Sequence, residues 1–159
     1  MKIVGIIPAR YGSSRFPGKP LATLGGKAVI QRVYEQCRKV LDDVYVATDD
    51  KRIYDCVAGF GGMAVMTSVD HHSGTDRCYE AYTKLDKNFD VIINIQGDEP
   101  FIHSSQINAI KGCFDDECTQ IATLVKPFTA ADGLDALANV NTPKVVVDKD
   151  MHAMYFSRS

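Results

Sequence analysis

Three positively charged residues, Arg10, Arg15 and Lys19, lie close together near the amino terminus, in a segment rich in glycine and serine. Small residues such as Ser13 let a backbone turn tightly and present several N–H groups to one anion. A cation within ~4 Å of a phosphate oxygen contributes roughly 1–4 kcal/mol, depending on how far water is excluded. The segment therefore predicts a polyphosphate-binding loop, and a solvated basic turn is the alternative. Its glycine spacing matches neither the Walker pattern nor the dinucleotide fingerprint.

Two carboxylates occupy a second polar segment, residues 96–100, which follows an apolar run directly. Mg²⁺ commonly takes one or two protein carboxylates together with phosphate oxygens and water. Asp98 is therefore the predicted magnesium ligand. The alternative is that Asp98 or Glu99 only turns the chain before Pro100.

A third polar segment, residues 70–77, combines two histidines with a Ser-Gly-Thr sequence ahead of a predicted helix. Adjacent histidines chelate one ion awkwardly, and no cysteine or third histidine is near in sequence, so zinc is disfavoured. A helix amino terminus that begins at Ser73, Gly74 and Thr75 is better suited to phosphate or to sugar hydroxyls. A plain capped turn is the alternative for each of these residues.

These three segments suit phosphoryl or nucleotidyl transfer better than nucleophilic catalysis. No serine lies in a Gly-x-Ser-x-Gly elbow, and no cysteine lies in a loop beside a histidine. A basic loop and a carboxylate instead position reactants and neutralise charge, with assistance from a metal ion.

Length and composition suit one globular domain over residues 1–159. The chain is 45% hydrophobic and 24% charged, with a formal net charge of −2, so a nucleic-acid partner is not expected. No apolar run is long enough for membrane insertion, and a strand at the start leaves no room for a signal peptide. The five cysteines lack paired metal-ligand spacing and are expected to be reduced thiols. We therefore expect a cytoplasmic protein.

Strands and helices alternate along the chain. Apolar runs predict strands at residues 3–7, ended by Pro8, and at 44–48, 63–66, 91–95, 121–125, 144–147 and 153–157. The segments between them predict helices at 27–41, after Asp49 or Asp50, around 78–85, after Ser104 or Ser105, and at 129–138. This alternation predicts an α/β fold of three layers, a mostly parallel sheet with helices on both faces. Ligands of such sheets bind beyond the carboxyl ends of the strands, where all three polar segments are expected to meet.

Five motifs resemble those of the 3-deoxy-manno-octulosonate cytidylyltransferase (CMP-Kdo synthetase) family. They occur in the order of that family and span nearly the whole chain: IIPARYGSSRFPGKPL, VATDD, DHHSGTDR, NIQGDEP and YFSRS. The first motif alone indicates a sugar nucleotidyltransferase, and the third and fourth motifs point to the Kdo enzyme rather than the sialic acid enzyme. The resemblance also implies the Rossmann-like fold of the nucleotide-diphospho-sugar transferases.

The resemblance implies transfer of CMP from CTP to the anomeric hydroxyl of 3-deoxy-manno-octulosonate (Kdo), with release of pyrophosphate, for lipopolysaccharide biosynthesis. It implies that Arg10, Arg15 and Lys19 neutralise the triphosphate. It further implies that Asp98 binds Mg²⁺ as cofactor, so that Arg10, Lys19 and Asp98 are the expected catalytic residues. The nucleotide would also be held by Ser13, Ser73, Gly74, Thr75 and Arg77.

The acceptor side of the site is implied by two further residues. Gln96 would lie near the sugar acid, and Arg158 would pair with the Kdo carboxylate, where a planar guanidinium fits well. Members of the family are longer, so we expect a fragment that binds CTP weakly and has little or no synthetase activity. The full-length form is expected to be a homodimer. The alternatives are a non-catalytic nucleotide-binding fragment and a cytidylyltransferase that acts on another sugar acid.

Overall fold

The computed structural model describes residues 1–12 and 16–158. The chain divides into two compact units, Met1–Gly112 and Cys113–Ser159, which are described separately. The expectation of a single domain stays a prediction.

The first unit is built on a parallel sheet. Its elements in chain order are β1 (Ile3–Ala9), a 3₁₀ turn (Lys19–Leu21), β2 (Thr23–Leu24), β3 (Lys27–Ala28), α1 (Val29–Cys37), β4 (Asp43–Thr48), α2 (Lys51–Gly59), β5 (Ala64–Met66), α3 (Gly74–Thr83), β6 (Val91–Asn94) and α4 (Ser104–Cys113). The sheet has the strand order β5-β4-β1-β6, with all three pairings parallel. The short strands β2 and β3 form a separate antiparallel pair. The predicted α/β fold, with a parallel central sheet and helices, is confirmed.

Helices cover both faces of the sheet. Alternate residues of β1 and β4 point to opposite faces, so each face presents apolar side chains to the helices on its side. On one face, Val4 and Ile6 form a buried cluster with Cys78 and Ala81 of α3. On the other face Val44 is completely buried, and helices α1 and α2 both pack against β4. An apolar run without polar alternation is what a strand buried on both faces requires.

Strand β1 continues through Pro8, so the prediction that Pro8 ends this strand is wrong. Pairing with β4 extends to Ala9, whereas pairing with β6 stops at Ile6. The Ile6 carbonyl accepts from the N–H of Ile95, so the backbone polar groups of Ile6 point toward β6. Because alternate residues of a strand point their backbone groups to the same side, position 8 points toward β6 as well. Position 8 therefore faces a side where the ladder has already ended, and the missing N–H of proline costs no hydrogen bond there.

Two helices of this unit begin with a side-chain cap, as the sequence suggests. Asp50 caps α2 by accepting from the N–H of Arg52 at 2.9 Å. Ser73 caps α3 by accepting from the N–H of Asp76 at 3.1 Å. Each cap satisfies a backbone donor that has no partner within its own helix.

The second unit contains a 3₁₀ turn (Ala130–Asp132), α5 (Gly133–Ala138) and an antiparallel pair of strands, β7 (Lys144–Val147) and β8 (Ala153–Ser157). The two strands have the predicted bounds. The strand predicted at residues 121–125 is wrong, because among the described residues this segment has no strand partner and Ile121 is 91% exposed. An apolar run becomes a strand only where another strand pairs with its backbone.

Candidate functional site

The sheet reverses its strand order between β1 and β6. From β1 the chain moves to β4 and then β5 on one side, and β6 is added on the other side. The carboxyl ends of β1 and β6 thus form a topological switch point, where the loops on either side diverge and leave a crevice. The basic loop follows β1, and residues 96–100 follow β6, so two of the three polar segments border this crevice.

A cleft of about 230 Å³ lies at this edge of the first unit. It is lined by Pro8, Ala9, Arg10, His71, His72, Ser73, Gly74, Arg77 and Gln96. These residues come from the end of β1 and the residue after it, from the loop between β5 and α3, from the first turn of α3, and from the segment after β6. The structure therefore brings residues of all three polar segments together, although their individual roles stay predictions.

The segment after β6 approaches β1 so closely that only glycine fits at position 97. A Cβ atom added to Gly97 would lie 2.8 Å from the carbonyl oxygen of Pro8, which is inside van der Waals contact with rigid backbone. Gly97 thus places the neighbouring Gln96 and Asp98 against the end of β1. Sequence reasoning did not single out this residue, although its position between two polar residues after a strand was a usable signal.

Lys19, which is predicted to bind phosphate, forms a salt bridge with Asp98, which is predicted to bind the metal ion. The Nζ of Lys19 lies 2.7 Å from Oδ2 of Asp98, and the two side chains are 40% and 52% exposed. This contact joins the end of the basic loop to the loop after β6. An ammonium and a carboxylate that are both exposed to solvent can separate, and each can bind another charged group, at little cost in free energy.

The donor set fits magnesium better than a metal that needs an all-protein cage. Within residues 1–12 and 16–158, no group of three or more His, Cys, Asp or Glu side chains is arranged to hold a metal ion. A carboxylate such as Asp98 provides one oxygen ligand, and Mg²⁺ completes its shell with phosphate oxygens and water.

The hydroxyl of Ser73 is occupied by the cap of α3. It donates to Oδ2 of Asp76 at 2.6 Å while it accepts from the Asp76 N–H. The exposed Thr75 is 3.5 Å from Nδ2 of Asn94 on β6, which is a weak contact at most. The capped turn that the sequence left open is therefore present, and the predicted contact of Ser73 and Thr75 with a nucleotide stays a prediction.

Arg77 also lines the cleft, but its guanidinium is already paired within the protein. Nη1 donates to Oγ1 of Thr67 at 2.6 Å, and Nη2 donates to Oδ2 of Asp49 at 2.8 Å. The side chain is only 4% exposed. Since Asp49 follows β4 and Thr67 follows β5, Arg77 ties α3 to the ends of two strands. Sequence reasoning assigned Arg77 to the nucleotide and missed this scaffolding contact.

The basic loop is anchored at both of its ends. The N–H of Gly18 donates to the carbonyl of Tyr11 at 2.8 Å, and Gly18 adopts a left-handed backbone with φ 72° that favours glycine. The guanidinium of Arg52 lies 3.4 Å from the centre of the Tyr11 ring, and Asp50 holds Arg52 at 2.6 Å. Tyr11 was not among the predicted site residues, and the predictions for Ser13 and Arg15 lie outside the described residues.

The loop between β5 and α3 is held by Glu80, which sequence reasoning also missed. The carboxylate of Glu80 accepts from the N–H of Ser68 at 2.9 Å and contacts Nε2 of His71. Lys84 lies 2.6 Å from the same carboxylate. Lys84, more than His71 and the Ser68 amide, lowers the pKa of Glu80 to about 2. The spacing of Glu80 and Lys84 on one helix face was the available signal.

Arg158 lies in the second unit and is exposed. Its Nη1 donates to the carbonyl oxygen of Asn141 at 3.2 Å, and its own carbonyl accepts from Lys144 at 2.6 Å. These bonds belong to the ends of the β7–β8 pair. The predicted pairing of Arg158 with a sugar carboxylate stays a prediction.

A parallel sheet with a cleft at its switch point, a basic loop and a neighbouring carboxylate is an arrangement typical of nucleotide-binding α/β proteins. A family profile described as cytidylyltransferase matches residues 4–159, so the chain belongs to the cytidylyltransferase family. No helix among the described residues is both long and apolar enough to cross a membrane.

Similar proteins agree with the resemblance seen in the sequence. The chain is 69% identical to a 3-deoxy-manno-octulosonate cytidylyltransferase of Phocaeicola vulgatus and 68% identical to that of Bacteroides thetaiotaomicron, in each case over 159 residues. It spans 63% and 64% of the length of those proteins. The solved structure of a CMP:2-keto-3-deoxy-manno-octonic acid synthetase complexed with CTP is 47% identical, with a TM-score of 0.92 over all of this chain and 65% of that one. A cytidylyltransferase structure from Leptospira borgpetersenii, 24% identical with a TM-score of 0.63, shares the fold.

Proposed function

We propose that this chain carries the CTP-binding part of a cytidylyltransferase that transfers CMP to 3-deoxy-manno-octulosonate and releases pyrophosphate. One observation carries the proposal: residues from three loops surround a single cleft at the switch point of the sheet. The high identity to proteins named for this reaction supports the choice of nucleotide and acceptor.

In the proposed reaction, the anomeric oxygen of Kdo attacks the α-phosphorus of CTP in line with the departing pyrophosphate. A bond forms between that oxygen and the α-phosphorus, and the bond from the α-phosphorus to the bridging oxygen breaks. The hydroxyl proton passes to solvent, and pyrophosphate leaves with the bonding electrons. Since the transition state gathers negative charge on phosphate oxygens, preorganised cations lower its energy.

The residues of this chain divide that work among them. Arg10 borders the cleft, and Lys19 lies beside Asp98, which supports a role for both cations in binding phosphate oxygens. Asp98 would hold Mg²⁺, which when bound neutralises the triphosphate and helps to lower the pKa of the attacking hydroxyl. Gln96, at the cleft, would bind the sugar acid, and Arg158 would pair with its carboxylate.

Four finer parts of the proposal rest on the family resemblance. They are the magnesium cofactor, assembly as a homodimer, a cytoplasmic location and supply of CMP-Kdo to lipopolysaccharide biosynthesis.

A nucleotide and acceptor panel tests the proposal. Binding of CTP, UTP and ATP is measured by calorimetry with Mg²⁺, and pyrophosphate release is measured with Kdo and with sialic acid. We expect CTP to bind most tightly and Kdo to be the acceptor in the protein as its cell produces it. For the 159-residue chain by itself we expect CTP binding with little pyrophosphate release. Preference for UTP or ATP, or for sialic acid over Kdo, would contradict the assignment.

A further inference from the structure

One wall of the cleft is a loop without regular secondary structure. Residues 67–73 connect β5 to α3 and contribute His71 and His72 to the lining. Most of this loop is exposed, and Val69 keeps 71% of its surface open to solvent. An irregular and exposed segment has few packing contacts of its own, so something else must fix it before it can shape a binding site.

A single carboxylate contacts this loop at two separate points. Both oxygens of Glu80 lie within hydrogen-bond reach of the Ser68 N–H, at 3.2 and 2.9 Å, and Oε2 contacts Nε2 of His71. Lys84, the residue directly after the end of α3, contacts Glu80 and donates to the carbonyl of Met66 at 2.8 Å. Glu80 thus holds the loop at Ser68, near its start, and at His71, beside the cleft, while Lys84 holds the end of β5 at Met66.

The chemistry of the contact also fixes the state of the histidine. An ionised carboxylate only accepts hydrogen bonds, so the nitrogen of His71 that faces Glu80 must carry a proton. Glu80 stays ionised because Lys84 and His71 lower its pKa to about 2. In neutral His71 the other ring nitrogen, Nδ1, is then an acceptor, and the orientation of the ring is set by the bond at Nε2.

We propose that Glu80 is a positioning residue for the nucleotide, which acts by holding the His71 ring and the Ser68 amide so that residues 67–73 form a fixed wall of the cleft. The inference rests on the proposed function, since the nucleotide is the ligand that this wall receives. Glu80 itself does not touch the ligand. Its effect is therefore on nucleotide affinity and not on the chemical step.

A purely structural role would predict a different result, and the chain offers a matched control. Glu35 on α1 is also a helix carboxylate with charged and neutral donors, because it accepts from Lys27 at 2.7 Å and from Gln31 at 2.9 Å. Its partners are not cleft residues. Glu35→Gln therefore reports the general consequence of neutralising such a carboxylate, and Glu80→Gln adds the loss of the cleft wall.

The test compares Glu80→Gln, His71→Ala and the double variant in the full protein as its cell produces it. The CTP dissociation constant is measured by calorimetry, and KM and kcat are measured in the CTP and Kdo reaction. Glu80→Gln is expected to raise the dissociation constant and KM about tenfold, the effect of one lost charge-assisted hydrogen bond, with kcat unchanged within about twofold. The double variant should lose less CTP affinity than the sum of the two single losses, because part of the effect of Glu80 passes through His71 and the rest through the Ser68 amide. Glu35→Gln should leave CTP affinity unchanged.

Several results would overturn the inference. CTP binding that is unaffected by Glu80→Gln, or additive losses in the double variant, would remove the link through His71. ¹⁵N chemical shifts provide a check that needs no substitution, since His71 must be protonated at Nε2, and a proton at Nδ1 alone would contradict the proposal. Failure of the unsubstituted protein to bind CTP would overturn the proposed function together with the nucleotide part of this inference. CTP binding without sensitivity to Glu80 would overturn the inference alone.

Discussion

Two ion pairs near the cleft differ in burial. Arg77–Asp49, called the base, includes a residue that lines the cleft, and Lys19–Asp98, called the rim, joins the loops that follow β1 and β6. At the base, Arg77 and Asp49 are 2.8 Å apart and only 4% and 17% exposed. At the rim, Lys19 and Asp98 are 2.7 Å apart but 40% and 52% exposed. Separation of a buried pair leaves an uncompensated charge in a poorly solvated place, whereas water replaces either partner of an exposed pair.

This difference indicates which charges are available to a ligand. A residue that binds phosphate or metal must release its partner when the ligand arrives. Lys19 and Asp98 can do so at a cost of roughly 0–1 kcal/mol, whereas Arg77 would lose bonds to both Asp49 and Thr67. We therefore expect Lys19 and Asp98 at the rim to bind the ligand, and Arg77 and Asp49 at the base to stabilise the fold. Each of the following predictions tests that division.

The largest effect is expected at the base. Arg77→Met removes one partner of a buried pair and should lower the free energy of unfolding by about 3–5 kcal/mol, measured by urea denaturation. Adding Asp49→Asn should recover part of that loss, because no uncompensated carboxylate then remains. A stable Arg77→Met protein with impaired CTP binding would reverse the comparison and make Arg77 a ligand-binding residue.

The next effect is expected in catalysis at the rim. Asp98→Asn removes the predicted magnesium ligand and should lower kcat by about 10²–10³-fold, while the thermal midpoint stays nearly unchanged because the Lys19–Asp98 pair is exposed. Glu99→Gln, at the adjacent and exposed carboxylate, is the control and should retain activity. Equal losses in both variants would indicate a general charge effect and not a metal ligand.

A smaller effect is expected for the cation of the same pair. Lys19→Met should weaken CTP binding about tenfold, within the range for one cation beside a phosphate, and the difference should shrink as salt screens the charge. Lys27→Met is the matched control, since Lys27 is 42% exposed and also lies 2.7 Å from a carboxylate, that of Glu35. CTP binding that responds equally to both substitutions would contradict a specific role for Lys19.

The sequence predicted most of the fold because hydrophobic periodicity reports burial directly. The four strands of the parallel sheet and the β7–β8 pair lie where apolar runs occur. The failures at Pro8 and at residues 121–125 share a cause, since strand ends and strand existence depend on pairing partners that a local pattern does not contain.

The candidate site was predicted less completely, for a similar reason. Arg10, Ser73, Gly74, Arg77 and Gln96 were singled out and line one cleft, because polar loops after parallel strands must share an edge. Glu80, Tyr11 and Gly97 were missed, because each acts on a residue distant in sequence or in another loop. The partner of a charge is likewise absent from the sequence pattern, so burial of Arg77 against Asp49 could not be foreseen.

The side chain of Glu80 is 23% exposed, between the buried pair and the exposed pair, and its substitution should lower stability only slightly. Its pKa is lowered from 4.5 to about 2, first by Lys84 and then by His71 and the Ser68 amide. A lowered carboxylate pKa stabilises the fold fully above about pH 4.5 and loses that contribution as the pH falls toward 2. The thermal midpoint of Glu80→Gln should therefore lie below that of the unsubstituted protein at pH 6, by the equivalent of less than about 1 kcal/mol, and the two should converge between pH 4.5 and about 2. A gap that is constant or that widens on acidification would mean that the ionised carboxylate does not hold the loop, which would leave the wall of the cleft to packing alone.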